Sequence, residues 1–369
     1  MKLYRLEALR GFAAFYVVLH HSFPHSIRLF GFDIGFVFRF GQEAVILFFL
    51  LSGFVINYSY KLSRDQTFKT YFLKRLTRIY IPLLAVMFLG YGIECWHTNG
   101  LANPQLGSLA LNLMMLQDVS SLKPGVIVDP YLGNTPLWSL SYEWWFYLMY
   151  FPIVNWMKNQ IKSNQIKSNQ IKSNYDIINI FVYLIAVIAA SWYIFHPNFI
   201  ARTLVYFLIW WAGVELANRY IVGDLSLKNI YPLLVALSCT VLILGVGVYL
   251  DHRAGRTASL GVHPILEFRH FAFALVVILG ALIWQRIAWF GFDSIFKPFL
   301  LLAPISYSLY ISHQYLVVQA TYLSWLKLPA VEWVAYFTVA IMFCNVLEVR
   351  IYPLCRDWIF NISDQKSGG

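Results

Sequence analysis

FGQEAVILFFLLSGFVINYSY, residues 40–60, decides the fold class. About 20 apolar residues suffice for a helix to cross a bilayer, and this stretch carries Glu43 as its single charge. Nine further stretches read as spans on the same basis: roughly 11–30, 79–96, 137–157, 177–195, 199–217, 230–250, 270–290, 299–319 and 331–349. A shorter apolar run near 106–117 reads as interfacial or re-entrant. A chain of 369 residues has room for two or three soluble domains, but hydrophobic residues make up 59% of it and charged ones 12%. Aromatics reach 18%, with 13 Trp and 24 Tyr, residues that favour membrane–water interfaces. The expected architecture is an all-α, polytopic integral membrane bundle of about ten transmembrane helices.

Ten spans put both termini on one side, and Lys and Arg say which. With the N-terminus inside, 20 of the 28 Lys and Arg fall on inner segments, among them Arg5, Arg10, Arg75, Arg78, Lys158 and Arg350. Eight, including Lys123, Arg202 and Arg269, fall outside. Both termini are expected in the cytoplasm. The net charge of +10 then follows from topology and requires no nucleic-acid partner. The repeat NQIKSNQIKSNQIKSN at 159–174 lies in an inner segment and reads as a polar loop over 158–175. The transmembrane domain is expected over 1–352, followed by a short cytoplasmic tail at 353–369. No cleavable signal peptide is evident, because Arg10 interrupts any apolar leader. Cys95, Cys239, Cys344 and Cys355 are dispersed without metal spacing, and Cys239 and Cys344 lie in apolar runs as expected buried thiols.

Ionisable groups inside spans are expensive and usually mark a site or a pathway. In LRGFAAFYVVLHH, Arg10 and His21 are eleven residues apart, which places them within 20° on one helical face. Their vertical offset is about 16 Å, so His21 is expected near mid-bilayer. His20 points about 80° away. A zinc reading of His21 and His25 fails because Pro24 disturbs the turn and no further ligands follow; no metal is expected. In KRLTRIYIP at 74–82, Arg75 and Arg78 share a face as a fork pair suited to phosphates, or as an ordinary inner anchor. PLWSLSYEWWFY at 136–147 places Glu143 two turns into a span with Ser139 one turn before it. That carboxylate can orient a catalytic His or pair with an arginine. Ser139 and Ser141 lack a nucleophile-elbow context, so a serine hydrolase is not expected. ISYSLYISHQ carries His313, also expected mid-membrane, with structural and functional readings both open.

Taken in order, LEALRGFAAFYVVLHH, LFFLLSGFVI at 47–56, KRLTRIYIP, PLWSLSYEWWFY and SYSLYISH resemble membrane acyltransferase family 3. These are transmembrane acyl- and O-acetyltransferases of sugars and surface polysaccharides, and the resemblance runs from residue 6 to about 350. The family's Arg, ten residues, His pattern falls on Arg10 and His21. Its paired arginines fall on Arg75 and Arg78, and its Ser-Leu-Ser-x-Glu pattern on Ser139 and Glu143. Many members carry an Asp just before the FF of the second string; here Ile46 and Leu47 stand there, with Glu43 the nearby carboxylate. The resemblance implies acetyl-CoA as cytoplasmic donor, with Arg75 and Arg78 on its phosphates. The implied acceptor is a glycan or lipid-linked sugar hydroxyl of lipopolysaccharide O-antigen, capsule or exopolysaccharide. His21 would act as general base, tuned by a neighbour such as Glu143, in a bacterial cytoplasmic (inner) membrane. The C-terminal esterase-like domain of some members is not expected, since the sequence stops about 20 residues after its last span. The competing expectation is a proton-coupled exporter with His21, Glu143 and His313 as relay, although the two-fold repeats common in transporters are not evident. A second alternative is the other membrane-bound O-acyltransferase group, which also uses an intramembrane His but has different flanking motifs.

Overall fold

The computed structural model describes residues 3–24, 26, 28–29, 32–163, 168–256 and 259–365. α1 (Tyr4–Ser22) leads through a two-stranded antiparallel hairpin, β1 (Arg28–Leu29) and β2 (Phe32–Asp33), into α2 (Gly41–Leu62). α3 (Phe68–His97), the short α4 (Leu106–Leu113) and an irregular segment precede α5 (Trp138–Ser163). Next come α6 (Ser168–Phe195), α7 (Phe199–Val222), α8 (Leu227–Arg253) and α9 (Ile265–Arg286). α10 (Phe292–Phe296) and α11 (Ser306–His313) are joined by 3-10 turns. α12 (Pro329–Asn345) passes through a π-helical turn, Val346–Ile351, into α13 (Tyr352–Gln365).

Among the described residues, seven helical stretches are long and apolar enough to cross a membrane, and eight if the bent α10–α11 pair forms one span. Their outer faces carry large apolar side chains that no soluble fold would leave bare: Phe88, Ile188, Leu242 and Val276 are all more than half exposed. The protein is an all-α, multi-pass membrane bundle. The two other expected spans also form helices, α1 and α5, of 19 and 26 residues. α1 carries Arg5, Glu7 and Arg10, and α5 is dense in Trp, Tyr and polar groups, so both are less apolar than the other spans.

α7 is the hub, with most of its apolar stretch buried. It packs along α2 because glycines meet there. A Cβ at Gly53 would fall 1.9 Å from the Trp210 carbonyl oxygen, and one at Gly213 would fall 2.1 Å from that of Leu50. Small residues of this kind let membrane helices approach to backbone contact.

Several boundaries differ from expectation. The first helix covers 4–22, not 11–30, since the chain turns extended at Phe23 before Pro24. His21 therefore sits in the last turn of α1 and not half-way along a span. The stretch expected over 299–319 bends by 54° between Leu301 and Ala303; Pro298 and Pro304 open its 3-10 turns by removing backbone donors. The expected polar loop over 158–175 is much shorter, because repeat residues 159–163 and 168–174 extend the flanking helices without a Gly or Pro to stop them. Residues 164–167 lie outside the described residues. The expected tail from 353 is helical through Gln365 and is tied to α3 by a Lys69 hydrogen bond to the Ser363 carbonyl at 2.6 Å. Residues 366–369 lie outside the described residues. All four cysteines are free, and Cys239 is half-buried while Cys344 is buried.

Candidate active site

α3 delivers its first three turns of basic residues to a point where α1, α2, α5 and α11 converge. A cavity of about 160 Å3 opens there, lined by Arg10, Arg75, Arg78, Ser139 and Glu143, among others. Each guanidinium is held differently. Arg10 donates to Glu7 at 2.9 Å and to the Ala303 carbonyl at 3.0 Å. Arg75 lies 5.6 and 5.9 Å from the ring centroids of Tyr71 and Tyr147, and its buried Nε has no hydrogen-bond partner among the described residues. Arg78 is ion-paired to the buried Glu348 and flanked by the Tyr307 and Tyr352 rings. Glu348 also accepts from Ser308 at 2.7 Å. Arg75 and Arg78, read from spacing as equivalent, are therefore unlike.

Glu143 faces this same cavity. Its Oε1 accepts from Ser52 at 2.6 Å and from the Tyr147 hydroxyl, and Ser52 accepts from Trp210 Nε1 at 3.2 Å. Ser139 shares a 2.8 Å hydrogen bond with the Tyr310 hydroxyl. The structure thus brings Arg10, Arg75, Arg78, Ser139 and Glu143 together, although they lie up to 133 positions apart in sequence.

His21 belongs to a different layer. Its ring lies 5.3 Å from that of His313 and 4.8 Å from that of His20. Its neighbour is thus His313, and Glu143, expected beside it, sits with the arginines. The reason is length: eleven residues of helix put His21 about 16 Å along α1 from Arg10. Arg10 and His21 both face the 303–313 stretch, whereas His20 faces the Phe38 carbonyl and Gly41 on α2. His313 is buried, and its Nδ1 lies 2.7 Å from the Tyr310 carbonyl. A carbonyl only accepts, so Nδ1 carries the proton, and Nε2 has no hydrogen-bond partner among the described residues. Glu43 is ion-paired with Arg269, which ties α2 to α9 away from the cavity.

Sequence reasoning missed a second buried ionic cluster. Asp118 accepts from Lys123 at 3.0 Å and from Tyr142, and lies 3.1 Å from Arg202. Burial pushes the Lys123 ammonium below its ordinary range, with Asp118 opposing. Nearby, Glu267 accepts from Tyr193 at 2.8 Å, and His270 pairs with Tyr206 at 2.7 Å. The rule that singled out Arg10 and Glu143 applies equally to Arg202, Glu267, His270 and Glu348, each an ionisable residue at or within an apolar run. No group of three His, Cys, Asp or Glu residues arranged to hold a metal ion occurs among the described residues, and His25 lies outside them.

A family model described as an acyltransferase domain matches residues 3–349. Acyltransferase MdmB of Streptomyces mycarofaciens is 36% identical over 160 residues, which cover 41% of this chain and 38% of that relative's length. No solved structure matches the chain.

Proposed function

Because the chain belongs to the acyltransferase 3 family, we propose that it moves an acetyl group from cytoplasmic acetyl-CoA to a sugar hydroxyl of a cell-surface glycan. The membrane would be the bacterial cytoplasmic membrane, crossed ten times with both termini inside. Seven apolar helices, the bent pair, α1 and α5 are the ten candidates for these crossings. The observation that carries the reading is the cavity lined by three arginines, with the His21–His313 pair lying further along α1.

Arginine is suited to phosphate because its planar fork donates two parallel hydrogen bonds. Arg75 is the principal phosphate ligand, since it lies against ring faces and makes no ion pair among the described residues. Arg10 shapes the cavity wall, and Arg78, neutralised by Glu348, fixes α3 against the 346–351 turn. The thioester end of the donor extends along α1 toward His21. His21 takes the proton of the sugar hydroxyl as the oxygen attacks the acetyl carbonyl. The C–S bond breaks, the new C–O ester bond remains, and His21 returns the proton to the departing CoA sulfur. General-base catalysis of this type supplies about 10²–10⁴-fold. His313 packs its ring beside that of His21 and keeps the imidazole in place. Glu143, kept in place by Ser52 and Tyr147, offsets the arginines when no donor is bound.

Deleting the gene and comparing ester-linked acetyl groups on the cell's surface glycans tests this reading. Loss of one acetyl ester, restored by the wild-type gene, is the expected result. Unchanged esters together with a blocked export of glycan would favour the transporter.

A further inference from the structure

A second cavity, of about 510 Å3, lies at the other end of α3 and belongs to none of the residues discussed so far. Its polar lining comprises Glu94, Gln105, Ser108, Ser121, Asp129 and Thr135, and no Lys or Arg lines it among the described residues. Glu94 is nineteen residues along α3 from Arg75. At 1.5 Å per residue this is about 28 Å, close to the roughly 30 Å thickness of a bilayer's hydrocarbon core. The two cavities therefore lie toward opposite ends of α3, about a hydrocarbon core's thickness apart, the first lined by three arginines and two glutamates and the second by two carboxylates.

Three features make this second cavity a built site. Its floor is fixed: Asp129 accepts from the Ser120 backbone at 2.9 Å and hydroxyl at 2.8 Å, and Asn112 holds both the Asp129 carbonyl and the Tyr131 amide. Val119 on its wall adjoins Asp118, which the buried Lys123 and Arg202 anchor from behind. Two lining residues that are not glycine, Gln105 (φ 44°) and Leu132 (φ 48°), are held in the left-handed region, a strain that clusters at ligand sites. Lastly, the 131–136 loop has two faces. Leu132, Gly133 and Thr135 line the cavity, while Tyr131, Asn134 and Pro136 are bonded to Tyr315, Ile311 and Tyr310 on either side of His313. One loop thus separates the cavity from the histidine layer.

We propose that this outer cavity is a glycan subsite that holds a sugar unit carrying no acid group, next to the unit whose hydroxyl is acylated. It deepens the function proposed above and rests on it. Carboxylates accept hydrogen bonds from neighbouring hydroxyls, and charged acceptors make the stronger ones. The exposed Glu94 carboxylate accepts no hydrogen bond among the described residues and is free to do so. Val119, Pro130 and Leu132 offer apolar contact to the C–H face of a sugar ring. With two carboxylates and, among the described residues, no Lys or Arg in its lining, the cavity repels uronic and other acidic sugars, which gives the site its discrimination.

The test uses the full-length protein in detergent with maltotetraose as neutral probe and tetragalacturonate as acidic probe, read by saturation-transfer NMR. Acetyl-CoA binding is measured in parallel. The neutral probe should bind and the acidic one should not. Glu94→Gln should weaken the neutral probe about tenfold, in line with loss of one charged hydrogen bond, and Glu94→Lys should admit the acidic probe. Acetyl-CoA affinity should stay unchanged in both variants, which also reports that they are folded. Equal binding of both probes, binding of neither, or no effect of Glu94 with acetyl-CoA still bound overturns the subsite and leaves the donor reading standing. Sugar discrimination without any acetyl-CoA binding would instead overturn the donor reading.

Discussion

Arg75 and Arg78 leave one face of α3 yet do different work. Arg78 neutralises a carboxylate that is almost fully buried, so removing it strands Glu348. Breaking a buried pair in this way typically destabilises by about 3–5 kcal/mol. Arg78→Ala should therefore lower the thermal unfolding midpoint sharply, and adding Glu348→Gln should recover part of the loss. Arg75 has no ion-paired carboxylate to strand among the described residues. Arg75→Ala should leave the midpoint nearly unchanged and raise the KM for acetyl-CoA about tenfold or more, given charged hydrogen bonds of about 1.5–3 kcal/mol. An unaltered KM would reduce Arg75 to an inner-face anchor. At His21, both Ala and Gln should remove about 10²–10⁴-fold of the rate, because Gln accepts a hydrogen bond but takes no proton. Activity retained in His21→Gln would make His21 structural. His20→Ala should affect the rate much less, since that ring faces Gly41 and the Phe38 carbonyl. At this scale the sequence revealed which groups were expensive to bury but not their partners. Arg10, His21 and Glu143 stood out as polar residues in apolar runs. That Arg78 meets Glu348, 270 positions away, follows from helix packing that no local pattern encodes.

Helices were legible wherever apolar runs were long. α2, α7, α8 and α9 lie within a few residues of the stretches read from hydropathy. Their ends were not, because ends depend on single residues: Pro24 shortens the first span, Pro298 and Pro304 bend the α10–α11 pair, and the repeat holds no Gly or Pro to keep α5 and α6 from extending into it. Helix pairing was equally hidden, although glycines mark it in retrospect. Gly53 and Gly213 permit α2 and α7 to touch through backbone atoms. Gly53→Val should destabilise by about 3 kcal/mol or more, the upper range for forcing methyl groups into a packed core. It should appear as loss of the monodisperse peak and a lower unfolding midpoint. Gly92→Val is the control: nothing lies within 4 Å of a Cβ there, and little change is expected. Equal tolerance at both positions would mean that α2 and α7 do not pack as described.

Across the whole molecule, α3 links two chemistries, with arginines near its start and Glu94 near its end. α1 runs from Arg10 to the His21–His313 pair. An anionic donor on one side and a sugar on the other would then meet only at the histidine layer. Acetyl-CoA does not cross bilayers, so the side from which it is used can be controlled. The decisive measurement is acetyl transfer in sealed membrane vesicles of known orientation, with acetyl-labelled acetyl-CoA supplied to one face at a time. Label should enter an alkali-labile ester on the glycan only when the donor meets the face bearing Arg75, and His21→Gln vesicles should incorporate none. Incorporation with the donor confined to the Glu94 face, or undiminished in His21→Gln, would contradict the account.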